Sequence, residues 1–264
     1  MENNNNHPLS PFNLNDDSEI LNTYRYVNGR RYHNVPGVDY FLPNDEEEVS
    51  RLDLQHKLVR YAWEGNFTAP MHKRLSEGNC RVLDVGCGSG AFIMDLAEDY
   101  PKNSYVGIDI SDTFPGESVH VQWKEKVIPE LLRVLKPGGW IELMEFDLIW
   151  FSLGPKTGQV TKIDQLQKRG ISIIMSTRIA ELLKESNVQN MQIISKSLPI
   201  GPWGGKLGEL LYKSHIQVVT PVMERLVKSV KMTIEEYLEI STRETDEHKT
   251  YAMSHRIFGV KPQN

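Results

Sequence analysis

Cysteine is scarce in this 264-residue chain, with Cys80 and Cys87 the only two. They stand at opposite ends of one short extended run, an unsuitable separation for a disulfide, and two thiols alone do not make a metal site. Reduced thiols and no metal are expected. Long apolar runs are missing as well: none approaches the roughly twenty residues that span a bilayer, and no charged-then-apolar leader is present. A soluble intracellular protein, cytoplasmic or nuclear, with no membrane partner is therefore expected. Excess positive charge is also absent. Lys and Arg number 30 against 35 Asp and Glu, a formal net charge of −5, which gives no support for nucleic-acid binding as the main task. With 39% hydrophobic and 25% charged residues, the composition suits one substantial α/β core with additions.

The most informative stretch is Val82-Leu83-Asp84-Val85-Gly86-Cys87-Gly88-Ser89-Gly90. Val82, Leu83 and Val85 read as a buried strand, and the glycines remove the Cβ atoms that would hold a backbone away from a ribose or phosphate. A helix is expected to open directly after Gly90. The glycines do not name the ligand, because Gly86, Gly88 and Ala91 also satisfy the looser dinucleotide pattern. Asp84 separates the two readings. Two positions before the first glycine, its carboxylate faces the crevice at the strand's end and suits a cationic group such as the ammonium of a methionine moiety. About twenty residues on, Tyr105-Val106-Gly107-Ile108-Asp109 is a second short strand, ending in an acid suited to grip both ribose hydroxyls.

Farther along, Trp123, Val127, Ile128, Leu131, Leu132 and Leu135 share one helical face, and Lys136-Pro137-Gly138-Gly139 ends that helix. Pro129 places the regular part from about that residue onward. The strand Trp140 to Glu145 follows at once. Together with Asp84 and the glycine turn, the run from Glu130 to Leu143 resembles the late motif of class I methyltransferases that use S-adenosylmethionine. The segments Tyr40 to His56 and Leu198 to Trp203 narrow the likeness, for they look like the fungal LaeA-like methyltransferases, regulators of secondary metabolism and their relatives. The resemblance spans roughly residues 24–261.

That resemblance implies a Rossmann-like α/β sheet flanked by helices, S-adenosyl-L-methionine as cofactor, and methyl transfer to an acceptor, small molecule or protein, that it does not identify. Regulatory protein partners are a further implication. On it, Asp84, Gly86, Cys87, Gly88, Gly90, Asp109 and Ile110 line the cofactor. No catalytic residue is assigned, since alignment and desolvation carry much of a methyl displacement; Glu145 and Asp147, at the end of the late strand, are the candidates should an acceptor need a base. Tyr40 and Gln55 are weaker candidates for cofactor contact, with packing the favoured role.

Residues 1–20 read as a disordered polar tail, 21–78 as an N-terminal helical cover, and 79–264 as the methyltransferase domain, with inserted helices at about 206–245 where acceptor choice should reside. The cover should contain a helix capped by Asn44 and carrying Val49, Leu52, Val59 and Trp63 on one face. Ile171 to Leu183 reads as a helix, Met191 to Leu198 as a strand, and Pro199 to Gly205 as a turn on the rim of the acceptor pocket; Lys206 beside it lacks the Gly-Lys-Ser/Thr of a phosphate loop. Helices are expected over Leu207 to Val219, Met223 to Val230 and Thr233 to Thr242, then a last strand from Tyr251 to Val260. His56, His120, His215 and His255 have no convincing partner in the sequence and read as packed or solvated side chains.

One departure from the family pattern stands out. Between Asp109 and Trp123 the family places a third strand, a helix and a fourth strand, a unit of about thirty residues or more; the thirteen residues from Ile110 to Gln122 leave room for a single short strand. The fourth strand normally lies beside the first, so the sheet should lose a central member. This internal deletion keeps two other readings open: a noncatalytic methyltransferase-like regulator or truncated isoform, and, on the shared glycine geometry alone, an NAD-binding oxidoreductase.

Overall fold

The computed structural model describes residues 24–34, 42–109, 127–160, 175–229 and 232–263. The segment preceding the first long helix is not wholly helical, for it opens with a hairpin of β1 (Tyr24–Val27) and β2 (Arg30–His33). Asn28 and Gly29 turn it, both at positive φ (51° and 78°), the backbone that a two-residue hairpin turn demands. Arg30 then donates two hydrogen bonds to the Asp45 carboxylate, at 2.6 and 2.8 Å, tying the hairpin to the start of α1 (Glu46–Trp63). Asp45, not Asn44, caps that helix, accepting from the Glu48 amide at 3.1 Å. Asn44 is engaged elsewhere: its side-chain oxygen accepts from Arg31 Nε.

After the short α2 (His72–Glu77), a βαβ unit is built from β3 (Arg81–Val85), α3 (Ala91–Asp99) and β4 (Ser104–Ile108). The strands are parallel, with Leu83 opposite Val106 and Asp84 opposite Gly107. A separate antiparallel sheet has the order β5-β7-β6, from β5 (Trp140–Phe151), β6 (Gln189–Pro199) and β7 (Tyr251–Val260). One face of it packs on α4 (Val127–Val134) and α6 (Met175–Glu185) through Ile128, Leu132, Ile141, Ile179, Leu183 and Ile257. The other side carries Trp150, Leu198 and Ala252 against Leu58 of α1 and Leu211 of α7 (Gly205–Ser229). A short α5 (Pro155–Val160) and α8 (Ile234–Glu247) complete this side; the Glu244 carboxylate accepts the Lys156 and Thr157 amides at the start of α5.

The fold class is thus the expected α/β, but the sheet is divided. Among the described residues no strand joins β3 or β4 to β5. A parallel sheet normally hides both faces; here Leu83 and Val106 remain 44% and 55% exposed. Helix α1 spans the division. One of its faces meets α3, where the Asp95 carboxylate bonds both His56 Nε2, at 2.7 Å, and Arg60. Its far end meets the three-stranded sheet, where Trp63 donates from Nε1 to Ser254 Oγ at 3.0 Å and the Arg256 guanidinium sits over the indole at 4.7 Å. Just beyond, the Thr68 and Ala69 amides donate to Glu142 of β5.

Other expectations need adjustment. The two helices expected on either side of Pro221 are one continuous α7, and α8 runs five residues past Thr242. Pro129 falls at the third position of α4, where a proline is tolerated, while Trp123, His120, Tyr40 and residues 171–174 lie outside the described residues. Strand β7 has the expected bounds. Among the described residues no helix is long and apolar enough to cross a membrane.

Candidate functional site

The glycine turn follows β3 as the sequence implied, and it is held from below by β4. Both the Gly86 and Cys87 amides donate to the Ile108 carbonyl, at 2.8 and 3.1 Å. Gly86, Gly88 and Gly90 all have positive φ (80°, 55° and 79°), a backbone that L side chains adopt only with strain. Gly107 is required for another reason: a Cβ there would stand 3.0 Å from Cys87 Sγ. Leu52 of α1 closes over the turn, since a Cβ on Gly88 would lie 3.2 Å from its Cδ1.

Asp84 and Asp109 end the two parallel strands at this turn. Asp109 is buried, and its Oδ2 accepts the Gly88 amide at 2.7 Å. The acid expected to grip a ribose therefore also fixes the glycine turn. Asp84 differs. Its Oδ2 is buried with no hydrogen-bond partner, and burial, followed by repulsion from Asp109, pushes its carboxyl up to about 6. A buried carboxylate lacking a partner is unfavourable until a cation or donor reaches it. Cys87 is buried beside these acids, and burial first, then their charges, push its thiol up to about 12. It is a packing side chain at pH 7, not a nucleophile. Ile110 lies outside the described residues, as does Tyr40. Gln55 is described and accepts from Arg51 within α1, whose guanidinium also pairs with Glu48 at 2.6 Å.

At the other sheet, Glu145 and Asp147 are both in β5. Burial pushes Glu145 up to about 6, whereas Asp147 Oδ2 lies 3.2 Å from His255 Nε2. His255 therefore has a partner, contrary to the sequence reading, and a second one in Ser195 Oγ, 2.8 Å from its Nδ1. His56 likewise has Asp95. His215 is packed as expected, its ring 4.1 Å from that of Trp150, and burial, with a contribution from Arg51, lowers it to about 3. No local motif announces these pairs; the separations of 39, 60 and 108 residues put them out of reach of any pattern along the chain. The Pro199 to Gly205 turn docks through Trp203 Nε1, which donates to the Thr250 carbonyl at 2.8 Å. Among the described residues no cluster of three metal-ligating side chains is found.

A family model described as a methyltransferase domain matches residues 76–114, the segment that holds β3, the glycine turn and Asp109. Secondary metabolism regulator laeA of Aspergillus fumisynnematus is 33% identical over 160 residues, covering 46% of this chain and 40% of that protein. Protein-methionine methyltransferase laeA of Emericella nidulans is 32% identical over 179 residues, covering 53% and 44%. A longer match is to methyltransferase pytC of Aspergillus terreus, 26% identical over 226 residues, with 70% of this chain and 68% of that one covered. Among solved structures, a phosphoethanolamine N-methyltransferase 2 of Haemonchus contortus with S-adenosyl-L-methionine has a TM-score of 0.43 at 14% identity, covering 88% of this chain and 62% of that one. The chain spans less than half the length of the laeA relatives.

The methyltransferase-domain match falls on the glycine turn and its two strand-end acids, and over those stretches the chain is similar to S-adenosylmethionine-dependent methyltransferases. Among them, the laeA proteins are similar to about half of this chain.

Proposed function

We propose that this chain binds S-adenosyl-L-methionine at the β3–β4 carboxyl ends and transfers its methyl group to an acceptor whose identity is open, small molecule or protein. The observation that carries the reading is Asp84, a half-buried carboxylate whose fully buried Oδ2 has no hydrogen-bond partner, beside a glycine turn. Such a group fits a cationic ligand and is a poor neighbour for the anionic pyrophosphate of a dinucleotide, which leaves an NAD oxidoreductase the least supported alternative. Asp84, Gly86, Cys87, Gly88 and Gly90 would hold the methionine and ribose side, and Asp109 the ribose hydroxyls. When bound, the sulfonium supplies an activated methyl group. The chain's part is to exclude water and align the acceptor, with Leu52 of α1 already closing over Gly88.

Calorimetry with S-adenosylmethionine, its demethylated product and NAD tests the reading. Saturable binding of the first two is expected; binding of NAD with no response to either of the others overturns it. A second reading has its own observation, the divided sheet. A noncatalytic regulator that keeps the family surface would bind the cofactor without turnover, so methyl transfer from labelled cofactor in a cell extract separates the two.

A further inference from the structure

Apart from the glycine turn, the three-stranded sheet gathers a second set of reactive side chains, which includes Glu145 and Asp147, the candidate bases for a methyl acceptor, together with His255 and Ser195, for which methyl transfer has no assigned use. Glu145, His255 and Ser195 stand in one row across β5, β7 and β6. Beyond Phe146 the β5–β7 register shifts, an irregularity of the kind that re-aims side chains. Asp147 emerges there and reaches the same imidazole. The result is a continuous chain of contacts, with Ser195 Oγ 2.8 Å from His255 Nδ1 and His255 Nε2 3.2 Å from Asp147 Oδ2.

The protonation pattern follows from the donors on hand. An ionised Asp147 only accepts, so the imidazole proton belongs on Nε2, leaving the Nδ1 lone pair to accept from the Ser195 hydroxyl. Asp147 and His255 are buried, 7% and 8% exposed, whereas Ser195 is exposed. Oδ1 of Asp147 is buried without a hydrogen-bond partner, so the hydrogen bonding of that carboxylate is directed at the imidazole. Base and orienting acid are thus shielded from water while the hydroxyl faces it. We propose that Ser195 is an activated nucleophile, with His255 as its base and Asp147 as the orienting acid, that takes the acyl group of an ester or thioester. The ring is reversed relative to the more familiar Ser-His-Asp order, but the chemistry needs only a lone pair toward the hydroxyl and an N–H toward the carboxylate.

In the first step Ser195 Oγ bonds to the carbonyl carbon while its proton passes to His255 Nδ1. The bond from that carbon to the alcohol oxygen or thiol sulfur then breaks, and His255 returns the proton to the leaving group. Water, giving its proton to His255, next attacks the acyl-serine; the carboxylic acid departs and the serine hydroxyl is restored. No redox change occurs. Among the described residues β6 is an outer strand of this sheet, so alternate N–H groups along it point away from β7 and are free to donate.

The test is labelling of the purified full chain with a fluorophosphonate probe, with the modified serine located by mass spectrometry, alongside release of p-nitrophenol from its acetate ester. Ser195 should be labelled at least about tenfold faster than any other serine, since an adjacent base typically contributes about 10²–10⁴ in rate. Ser195→Ala, a change at an exposed side chain, should abolish both signals with an unchanged melting temperature. Asp147→Asn and His255→Gln should each slow labelling by about tenfold or more; whichever melts like the parent carries the comparison. Labelling of Ser195 no faster than that of other exposed serines, or unaffected by those variants, would reduce the array to cross-strand hydrogen bonding and overturn the proposal. Neither signal requires S-adenosylmethionine, so this result stands apart from the methyltransferase reading.

Discussion

The Gly88 amide donates to Asp109 Oδ2 at 2.7 Å, so the acid at the end of β4 shapes the turn at the end of β3. Loop geometry and ligand recognition converge on one side chain. A hydrogen bond to a charged group contributes about 1.5 to 3 kcal/mol. Asp109→Ala should therefore weaken S-adenosylmethionine binding roughly ten- to a hundredfold by calorimetry, and should also lower the melting temperature without ligand. Unchanged affinity in a folded variant would confine Asp109 to holding the turn.

Asp84 makes binding sensitive to acid. Its carboxyl is raised to about 6 in the ligand-free fold, and a cationic ligand requires the ionised form. Affinity should hold from pH 8 to 7 and then fall by up to about tenfold per unit below about pH 6. Asp84→Asn should bind weakly and lose that dependence. The sign for stability is opposite: a raised carboxyl favours the folded state as pH falls from about 6 toward 3.8. Asp84→Asn without ligand should accordingly be more stable than the parent at pH 7, measured by urea unfolding.

His215 gives the reverse slope. Its folded value is lowered from 6.5 to about 3, so the unfolded chain takes up the proton first. The contribution is fully present above pH 6.5 and is lost as pH falls toward about 3, by at most about 1.4 kcal/mol per unit. His215→Phe keeps a ring against Trp150 and removes the titration. Its unfolding free energy relative to the parent should improve by about 2 kcal/mol between pH 6.5 and 5. An equal pH dependence in the two chains would mean that His215 is solvated.

Leu83 and Val106 supply a further test. They are cross-strand partners exposed by 44% and 55%, on a parallel pair with no neighbouring strand among the described residues. Inserting a relative's third strand, helix and fourth strand between Asp109 and Trp123 should raise both the melting temperature and its further rise with S-adenosylmethionine. Identical melting and identical ligand shifts would show that α1 alone suffices to join the two sheets.

Several elements were legible because their signals are local. The glycine turn has to lie between an apolar strand and a helix, and β7 has the bounds that its residues suggested. The thirteen residues from Ile110 to Gln122 are too few for the missing unit, and among the described residues no strand joins β4 to β5. Other features were decided by competition. Asn44 and Asp45 are both good caps, and Arg31 claims the first while the Glu48 amide bonds the second. Separate helices were expected over Leu207 to Val219 and Met223 to Val230, yet α7 runs unbroken from Gly205 to Ser229.

By itself, then, the sequence determined the α/β class, the glycine turn with Asp84 and Asp109 at its two strand ends, and the absence of room for a central strand. These depend on the strand period, on glycine's freedom at positive φ and on chain length, all of which act between near neighbours. Only the tertiary structure decided that α1 bridges two separate sheets, that Asp84 keeps an orphaned oxygen, and that Ser195, His255 and Asp147 meet. Each of those depends on strand register and on which water is excluded, and neither is set until segments 60 or 108 residues apart have packed together.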